Sequence, residues 1–212
     1  MSNGGMIGRR NVPGVDGTSG VWSMREIADA VRAGVWPKTT GRDLFDTDST
    51  ASYTQYADAS GAWAVSGGEL VATGGTQSAF IRNGVSFKDG YVEADMNHAY
   101  DGGLVLRFQS NTSYYLLALS DDSGASPTNN FRGFVRSGAT FTDISLSGNI
   151  TWTRGTSKKV RFSISGTTLS VSVDGTQVAS TTHSGITTAG GCGMRNNGAA
   201  QQSKYQSFAW AG

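Results

Sequence analysis

The chain has 212 residues, enough for one substantial core and a small appendage. Its net charge of +1 gives no electrostatic reason to bind nucleic acid or an anionic membrane, and no apolar run approaches the ~20 residues that span a bilayer. The 30 glycines, with 16% charged and 37% hydrophobic residues, indicate many short strands joined by tight turns and argue against intrinsic disorder.

The N-terminus lacks the apolar segment of a signal peptide, so secretion by that route is not expected. The sole cysteine, Cys192 in GGCGM, excludes an internal disulfide and is interpreted as a small buried side chain rather than a reactive thiol. Together these features predict synthesis in a reducing cytoplasm.

Residues 1–21 have the glycines and turn signals of an extended, flexible arm. A short helix is predicted from about Met24 to Ala33, because Ser23 is a good N-cap and Glu26, three residues later, completes a capping box. A glycine and then a proline follow the helix and prevent it from continuing.

The predicted helix is shorter than the roughly 12–15 residues at which isolated helices become even marginally stable in water, so burial must stabilise it. Its apolar stripe and the flanking tryptophans form a predicted partner-docking surface of Trp22, Met24, Ile27, Val31 and Trp36. Two alternatives stay open: the stripe packs on the chain's own β-domain, or it docks into another protein or around a symmetry axis, for example in a trimer. The arm before it and the polar segment after it favour docking slightly.

From about Asp43 onward, strand signals repeat with turn residues between them to the end of the chain. Apolar and polar residues alternate in GYVEADMNH and in GGLVLRFQS, where we expect Leu104, Leu106 and Phe108 on one face and Arg107 and Gln109 on the other. The segment YYLLALS, apolar on both faces, is predicted to be a central strand. TLSVSV and TQVAS are predicted to form a hairpin through a DG turn, and the inward face of the closing KYQSFAW stays open.

Roughly a dozen short strands, each with one polar face, fit a two-sheet antiparallel sandwich. No fixed internal repeat indicates a β-helix, and the strands do not alternate with helices as in a parallel α/β sheet. The fold class is therefore predicted as all-β, with a two-sheet antiparallel sandwich over residues 41–212 preceded by an arm and one short α-helix over residues 1–40.

The order GYVEADM, GGLVLRFQSNTSYYLLALS, KKVRFSISGTTLSVSVDGTQVAS, GGCGM and KYQSFAW resembles the concanavalin A-like lectin/glucanase superfamily, especially its laminin-G-like jelly-roll members, over about residues 43–210. That superfamily includes lectins, glycosidases and adhesive domains, so the resemblance implies a fold and not one function. The segment SGVWSMREIADAVRAGVWP is similar to one that recurs in tailed-bacteriophage structural proteins, often beside lectin-like domains. This second resemblance implies a virion component.

Glucanases of this superfamily carry carboxylates on one strand in the pattern Glu-x-Asp-x-Glu or Glu-x-Asp-x-x-Glu, where two serve as nucleophile and acid about 5–5.5 Å apart. Glu93 and Asp95 begin this pattern, but the chain continues Met96-Asn97-His98, so the second glutamate is missing and no catalytic residue is assigned. Solvated residues on a polar strand face are the favoured interpretation. No zinc-ligand cluster, phosphate-binding glycine loop or Gly-x-Ser-x-Gly elbow occurs.

Sugar-binding sites combine aromatic platforms with planar polar side chains, because sugar rings have apolar faces and hydroxyl rims. If the strands that carry them adjoin on one concave face, the polar candidates are Glu93, Asp95, Asn97, Arg107 and Gln109. The candidates for stacking are aromatic residues in loops, namely Tyr100, Tyr114 and Phe131, beside Asn129 and Asn130. A position in the core or at the rim is the favoured interpretation of each aromatic residue taken alone. Trp63 is expected to pack under the sandwich from an edge hairpin.

Asp121 and Asp122 in DDSG, joined by Asp101, offer a calcium site at a strand-end loop, as in some laminin-G-like domains. A simple turn is the favoured interpretation of these carboxylates, and no cofactor is predicted.

These features predict a non-enzymatic bacteriophage virion protein that is assembled in the host cytoplasm. Residues 1–40 would attach it to other virion proteins, and the jelly roll would project as a tail-associated adhesin that contacts a host-surface glycan. The alternatives are a head (capsid) decoration or fibre protein and a glycan-active hydrolase. Neither nucleic-acid binding nor membrane insertion is predicted.

Overall fold

The computed structural model of the chain describes residues 6–10, 18–22, 40–57, 61–74, 77–121, 130–197 and 203–212. The chain divides into two compact units, Met1–Lys38 and Thr39–Gly212. In the first unit, strand β1 (Met6–Arg10) pairs antiparallel with β2 (Thr18–Trp22), so the predicted arm contains a hairpin. The predicted helix and the rest of the predicted docking surface, Met24, Ile27, Val31 and Trp36, lie outside the described residues.

The described part of the second unit is built almost entirely from strands. They are β3 (Thr40–Asp43), β4 (Tyr53–Tyr56), β5 (Gly61–Ser66), β6 (Glu69–Gly74), β7 (Ser78–Arg82), β8 (Gly90–His98), β9 (Gly102–Ser110), β10 (Ser113–Leu119), β11 (Asn130–Ser137), β12 (Thr140–Asn149), β13 (Lys158–Ser165), β14 (Thr168–Val173), β15 (Thr176–Thr182), β16 (Gly191–Asn196) and β17 (Ser203–Ala211). One 3₁₀ turn, Thr50–Ser52, precedes β4. The predicted boundary between residues 40 and 41 falls inside β3.

Two antiparallel sheets form a sandwich, which confirms the predicted fold class. The seven-stranded sheet has the order β12-β11-β10-β9-β16-β7-β4, and the eight-stranded sheet has the order β15-β14-β13-β8-β17-β6-β5. Strand β3 pairs with the end of β17 beside the second sheet. Within the described ranges, no helix is long and apolar enough to cross a membrane.

The main core fills the space between the sheets and is supplied by the alternating residues that the sequence patterns indicate. Val92, Ala94 and Met96 of β8 are fully buried there, as is Trp152 after β12. Cys192 is buried in the same cluster, and desolvation raises the pKa of its thiol to about 12. The interpretation of Cys192 as a small buried side chain is therefore confirmed.

Strand β9 departs from simple alternation at Arg107, which has a positive φ of 47°. Opposite β16, the register shifts by one residue between Val105 and Phe108, as expected for a β-bulge. Leu104 and Leu106 therefore face the main core, whereas Phe108 belongs to a second apolar cluster on the other face of the sheet. The prediction that Phe108 shares a face with the two leucines is wrong, because the bulge reverses the side-chain direction after Leu106.

A second irregularity settles the open question of how β17 faces. Its pairing with β8 shifts between Tyr205 and Ser207, so Tyr205 and, beyond the shift, Phe208 and Trp210 all lie in the main core. The hairpin between β14 and β15 turns at Asp174 and Gly175, both with positive φ, as a type I′ turn requires. That turn prediction is confirmed.

Candidate functional site

The two sheets separate the residues predicted to bind carbohydrate. Glu93, Asp95 and Asn97 lie on β8 in the eight-stranded sheet, whereas Gln109 and Tyr114 lie on β9 and β10 in the seven-stranded sheet. The chain crosses from one sheet to the other at the bend that contains Tyr100. The condition that these strands adjoin on one face is therefore not met, because β8 and β9, although consecutive in sequence, lie in different sheets.

On the outer face of β8, each predicted carboxylate has a cationic partner. Glu93 forms an ion pair with Arg161 at 2.7 Å. Asp95 lies 3.2 Å from Arg42, accepts a hydrogen bond from Ser207 at 2.7 Å, and lies 3.9 Å from Lys159. On this part of the outer face of the eight-stranded sheet, positive and negative side chains therefore lie beside each other.

Asn97 meets a carboxylate that sequence spacing could not show. Its amide donates to Glu69, which comes from β6 and also lies 3.8 Å from Lys204. His98 follows beside Asn97, and its pKa is lowered by burial first, then by the charges of Lys204 and Arg154. A glutamate thus lies beside the position where the glucanase pattern has its second one, but it comes from another strand.

Arg107 is a structural residue and is not placed to bind a ligand. Its side chain has no exposure and donates to three backbone carbonyls, those of Lys88 at 2.8 Å, Gly166 at 2.7 Å and Ile186 at 2.5 Å. A further hydrogen bond reaches Asp89 at 3.4 Å. The guanidinium therefore joins three connecting segments, and the prediction of a sugar-binding role for it is wrong.

The predicted loop aromatics also require correction. Tyr114 and Phe131 lie on strands β10 and β11, and both are fully buried. Phe131 belongs to the main core, which excludes it as a stacking platform. Tyr100 is half-buried in the bend after β8, and Gln109 is exposed while donating to the Ala189 carbonyl at 2.7 Å. Asn129 lies outside the described residues, and the backbone of Asn130 begins β11.

The described carboxylates of the calcium alternative are already bonded to protein groups. Asp101 pairs with Arg195 at 2.6 Å and accepts from Asn197 at 2.6 Å, and buried Asp121 pairs with Arg154 at 3.2 Å. Asp122 lies outside the described residues. Within the described part of the chain, no three histidine, cysteine or carboxylate side chains form a group that could hold a metal ion.

The outer face of the seven-stranded sheet carries a continuous row of five aromatic rings. Tyr56 lies 4.8 Å from Phe108 between ring centroids, Phe108 lies 5.6 Å from Tyr114, and Tyr114 lies 6.2 Å from Phe141. Phe134 completes the row 6.3 Å from Phe141 in a T-shaped contact. This aromatic row extends from edge strand β4 to edge strand β12.

The first contact of the row spans two intervening strands. Strands β7 and β16 lie between β4 and β9 in the sheet, yet the rings of Tyr56 and Phe108 meet over them. On this face the intervening strands present the small residues Ala79 and Gly193 together with Ile81.

Two arginines are interleaved with the aromatic row. The guanidinium of Arg136 lies 5.7 Å from the Tyr114 ring centroid and 5.1 Å from that of Phe141. Arg132 lies 5.3 Å over Phe134 and forms an ion pair with Asp143 at 2.7 Å. Its hydrogen bond to Asp143 is the main cause of the lowered pKa of that carboxyl group. These cation–π contacts hold planar guanidinium groups beside aromatic faces.

Exposure along the aromatic row differs between its ends and its middle. Phe108 and Tyr114 are buried, whereas Tyr56 is 37% exposed at one end and Phe134 and Phe141 are half-buried at the other. The Arg132 and Asp143 side chains beside Phe134 are 47% and 40% exposed. The accessible end on β11 and β12 thus combines aromatic faces with planar charged groups, the combination that suits a sugar ring.

Sequence reasoning missed Phe134, Phe141 and Arg132. The signal lay in FRGFVRS of β11, where Phe131 faces the core and alternation therefore puts Arg132 and Phe134 outward together. An aromatic residue that points outward between two arginines indicates a surface with more than solvated polar side chains.

Solved structures similar to this chain share its sandwich fold. The carbohydrate-binding module CBM66 from Bacillus subtilis is 14% identical, with a TM-score of 0.57 over 76% of this chain and 92% of that one. A protein of unknown function with a galectin-like fold from Bacillus subtilis is 12% identical, with a TM-score of 0.61 over 81% and 94%. A beta-glucanase from Bacillus licheniformis is 10% identical, with a TM-score of 0.58 over 82% and 98%.

These likenesses show that the sandwich has the jelly-roll fold of those proteins. At such low identity they show the fold alone, and they include both binding modules and glycosidases. No protein-family model matches the sequence, and no curated protein matches it.

Proposed function

We propose that the chain is a non-enzymatic carbohydrate-binding module that is displayed on a bacteriophage virion. The observation that supports carbohydrate binding best is the accessible end of the aromatic row, where Phe134 and Phe141 lie beside the Arg132–Asp143 pair. Sugar rings stack their apolar faces on such aromatic residues, and their hydroxyl groups bind charged planar groups at the rim.

We propose that the chain is not a glycosidase because the carboxylates of β8 are engaged in ion pairs. Glu93 and Asp95 are held by Arg161 and Arg42 on a surface that lies on the opposite side of the sandwich from the aromatic row. A retaining glycosidase needs one carboxyl group that can deliver a proton and a second that can attack the sugar. The ion pairs with Arg161 and Arg42 occupy both carboxylates, and neither residue lies near the aromatic row where a sugar would stack.

Attachment to a virion is proposed from the N-terminal segment. The segment resembles those of tailed-bacteriophage structural proteins through its paired Gly-Val-Trp motifs, and residues 1–38 form a compact unit of their own. In this proposal other virion proteins bind that unit, and the jelly roll contacts a host-surface glycan from a tail-associated position. Head decoration is the alternative location, and a symmetric bundle of the N-terminal segments is the alternative mode of assembly.

Glycan binding is tested with the purified full chain on an array of bacterial surface polysaccharides. We expect Phe134→Ala and Phe141→Ala to abolish the binding of whichever glycan the chain retains. The matched control is Tyr91→Ala, which removes a half-buried ring stacked with Arg161 on the opposite face and should leave binding unchanged. Equal loss in Tyr91→Ala, or no retained glycan at all, would contradict the proposal.

Virion attachment is tested by deleting residues 1–37 and localising the product in intact particles. We expect the shortened chain to be folded and soluble but absent from particles. Particles that still incorporate it would count against attachment through the N-terminal segment.

A glycan-active hydrolase is the second candidate function, and one observation favours it. Glu69 contacts Asn97, so three carboxylates, Glu69, Glu93 and Asp95, lie on one sheet face. Release of reducing sugar that disappears in both Glu93→Gln and Glu69→Gln would establish this function and overturn the non-enzymatic proposal.

A further inference from the structure

The described edges of the two sheets differ in how they avoid pairing with another chain. Edge strand β15 has a bulge at Val178, where its register with β14 shifts by one residue. Edge strand β12 is bulged opposite β11 and has a positive φ at Ser145. Strands β4 and β3 have only four residues each, and β3 carries Arg42 and Asp43. Bulges, short length and charge are the usual devices that block edge-to-edge association.

Strand β5 has none of these devices. Its six residues, GAWAVS, contain no charge and no proline, and they pair with β6 in an unbroken register from Gly61 to Ser66. Trp63 fixes the strand by stacking on Phe80 at 4.9 Å and by donating to Ser78 at 2.8 Å. The strand is therefore a regular, rigid and uncharged edge.

The hairpin geometry shows which backbone groups face outward from β5. Ser66 and Glu69 close the two-residue turn Gly67-Gly68, both of whose glycines have positive φ, so Ser66 and Glu69 form a hydrogen-bonded pair. Alternation along an antiparallel ladder then directs the N–H and C=O groups of Trp63 and Val65 away from β6. Among the residues that the structure describes, no hydrogen-bond partner reaches these four groups.

We propose that β5 pairs with β5 of a second copy of this chain, antiparallel about a two-fold axis at Ala64. Trp63 of one copy then lies opposite Val65 of the other, and the four outward backbone groups of each strand become bonded. Two eight-stranded sheets would join into one continuous sheet, and the aromatic rows would remain on the opposite faces of both sandwiches.

A second copy fits this edge because the strand is complementary to itself. Antiparallel self-pairing brings only uncharged residues together, whereas a like charge opposite itself would oppose association. The side chains on the outer face, Ala62, Ala64 and Ser66, are small and exposed, so within the described part of the chain they leave room for an identical strand. Isologous contacts of this kind close after two copies and do not propagate into fibres.

Sedimentation velocity of the full chain tests the proposal from about 1 µM to about 200 µM, a range chosen because a strand pair alone is a small interface and binds weakly. We expect a monomer–dimer equilibrium. Ala64→Lys, which places two ammonium groups opposite each other at the axis, should raise the dissociation constant by at least about tenfold. A species that remains monomeric at the highest concentration would overturn the proposal.

Two controls make the result specific to this edge. Val178→Lys adds the same charge to the exposed, bulged edge strand β15 and should leave the dimer intact. Hydrogen exchange should show the Trp63 and Val65 amides protected at high concentration and exchanging at low concentration. An oligomer that survives Ala64→Lys, a trimer, or equal exchange of both amides at the two concentrations would contradict pairing through β5.

Discussion

Replacing Arg107 with methionine should destabilise the sandwich more than any exposed charge change. Methionine fills the volume of the arginine stem but cannot donate to the carbonyls of Lys88, Gly166 and Ile186, which the guanidinium now binds. The Asp89 contact is long, at 3.4 Å, and its carboxylate is nearly half exposed, so the three carbonyl bonds dominate the loss.

The magnitude follows from those bonds. Each buried carbonyl left without a donor costs about 1–3 kcal/mol, and loss of one partner from a buried charged network costs about 3–5 kcal/mol in total. We therefore expect Arg107→Met to lower the free energy of unfolding by about 3–5 kcal/mol. For a domain of this size, that loss corresponds to a fall in Tm of roughly 6–20 °C.

Urea unfolding followed by tryptophan fluorescence, together with calorimetry, measures the change. The matched control is Arg132→Met, because that arginine is 47% exposed and its pair with Asp143 lies on the surface. Surface ion pairs contribute about 0–1 kcal/mol, so this variant should lose less than about 1 kcal/mol. Equal losses in the two variants would refute the assignment of Arg107 as the residue that joins the three segments.

Further predictions concern the packing of β16 against β7, pH and calcium. Gly193→Ala should cost about 1–3 kcal/mol in urea unfolding, because a Cβ there would meet the β7 backbone at Phe80 and Ile81. Full stability of this variant would contradict the close approach of β16 to β7. Because the pKa of His98 is lowered in the folded chain, the unfolded chain binds a proton more readily, and the free energy of unfolding should fall as pH drops below about 6.5. His98→Gln should reduce that fall. Identical pH profiles of the free energy of unfolding in the two proteins would contradict this prediction. Adding calcium or a chelator should change Tm by less than about 1 °C, because Asp101 and Asp121 already form ion pairs with arginines. A rise in Tm with calcium would instead support a calcium site at these carboxylates.

The two-residue period of a β-strand predicts most of the strands of the sandwich, because every second residue must face the core. Val92, Ala94 and Met96 of β8 are buried as their alternation indicates, and the Asp174–Gly175 turn follows from its need for positive φ. Failures occur where a bulge breaks the period. The bulge at Arg107 turned that residue inward and Phe108 to the other face, and nothing local in GGLVLRFQS indicates it.

The candidate site was harder to predict because layer assignment is not a local property. Strands β8 and β9 are consecutive in the chain, yet hydrogen bonding puts them in different sheets, which separates Glu93 from Gln109. The aromatic row joins residues as far apart in sequence as Tyr56 and Phe141. Only the order of strands in the sheet brings those side chains together.

The most direct test of carbohydrate binding is an NMR titration of the isotope-labelled full chain with the glycan that the array identifies. We expect backbone amide shifts to change on β11 and β12, around Phe134 and Phe141, and to stay constant around Glu93 and Arg161. Changes confined to the Glu93 face, or no change at saturating glycan, would contradict the assignment of the aromatic row as the binding site.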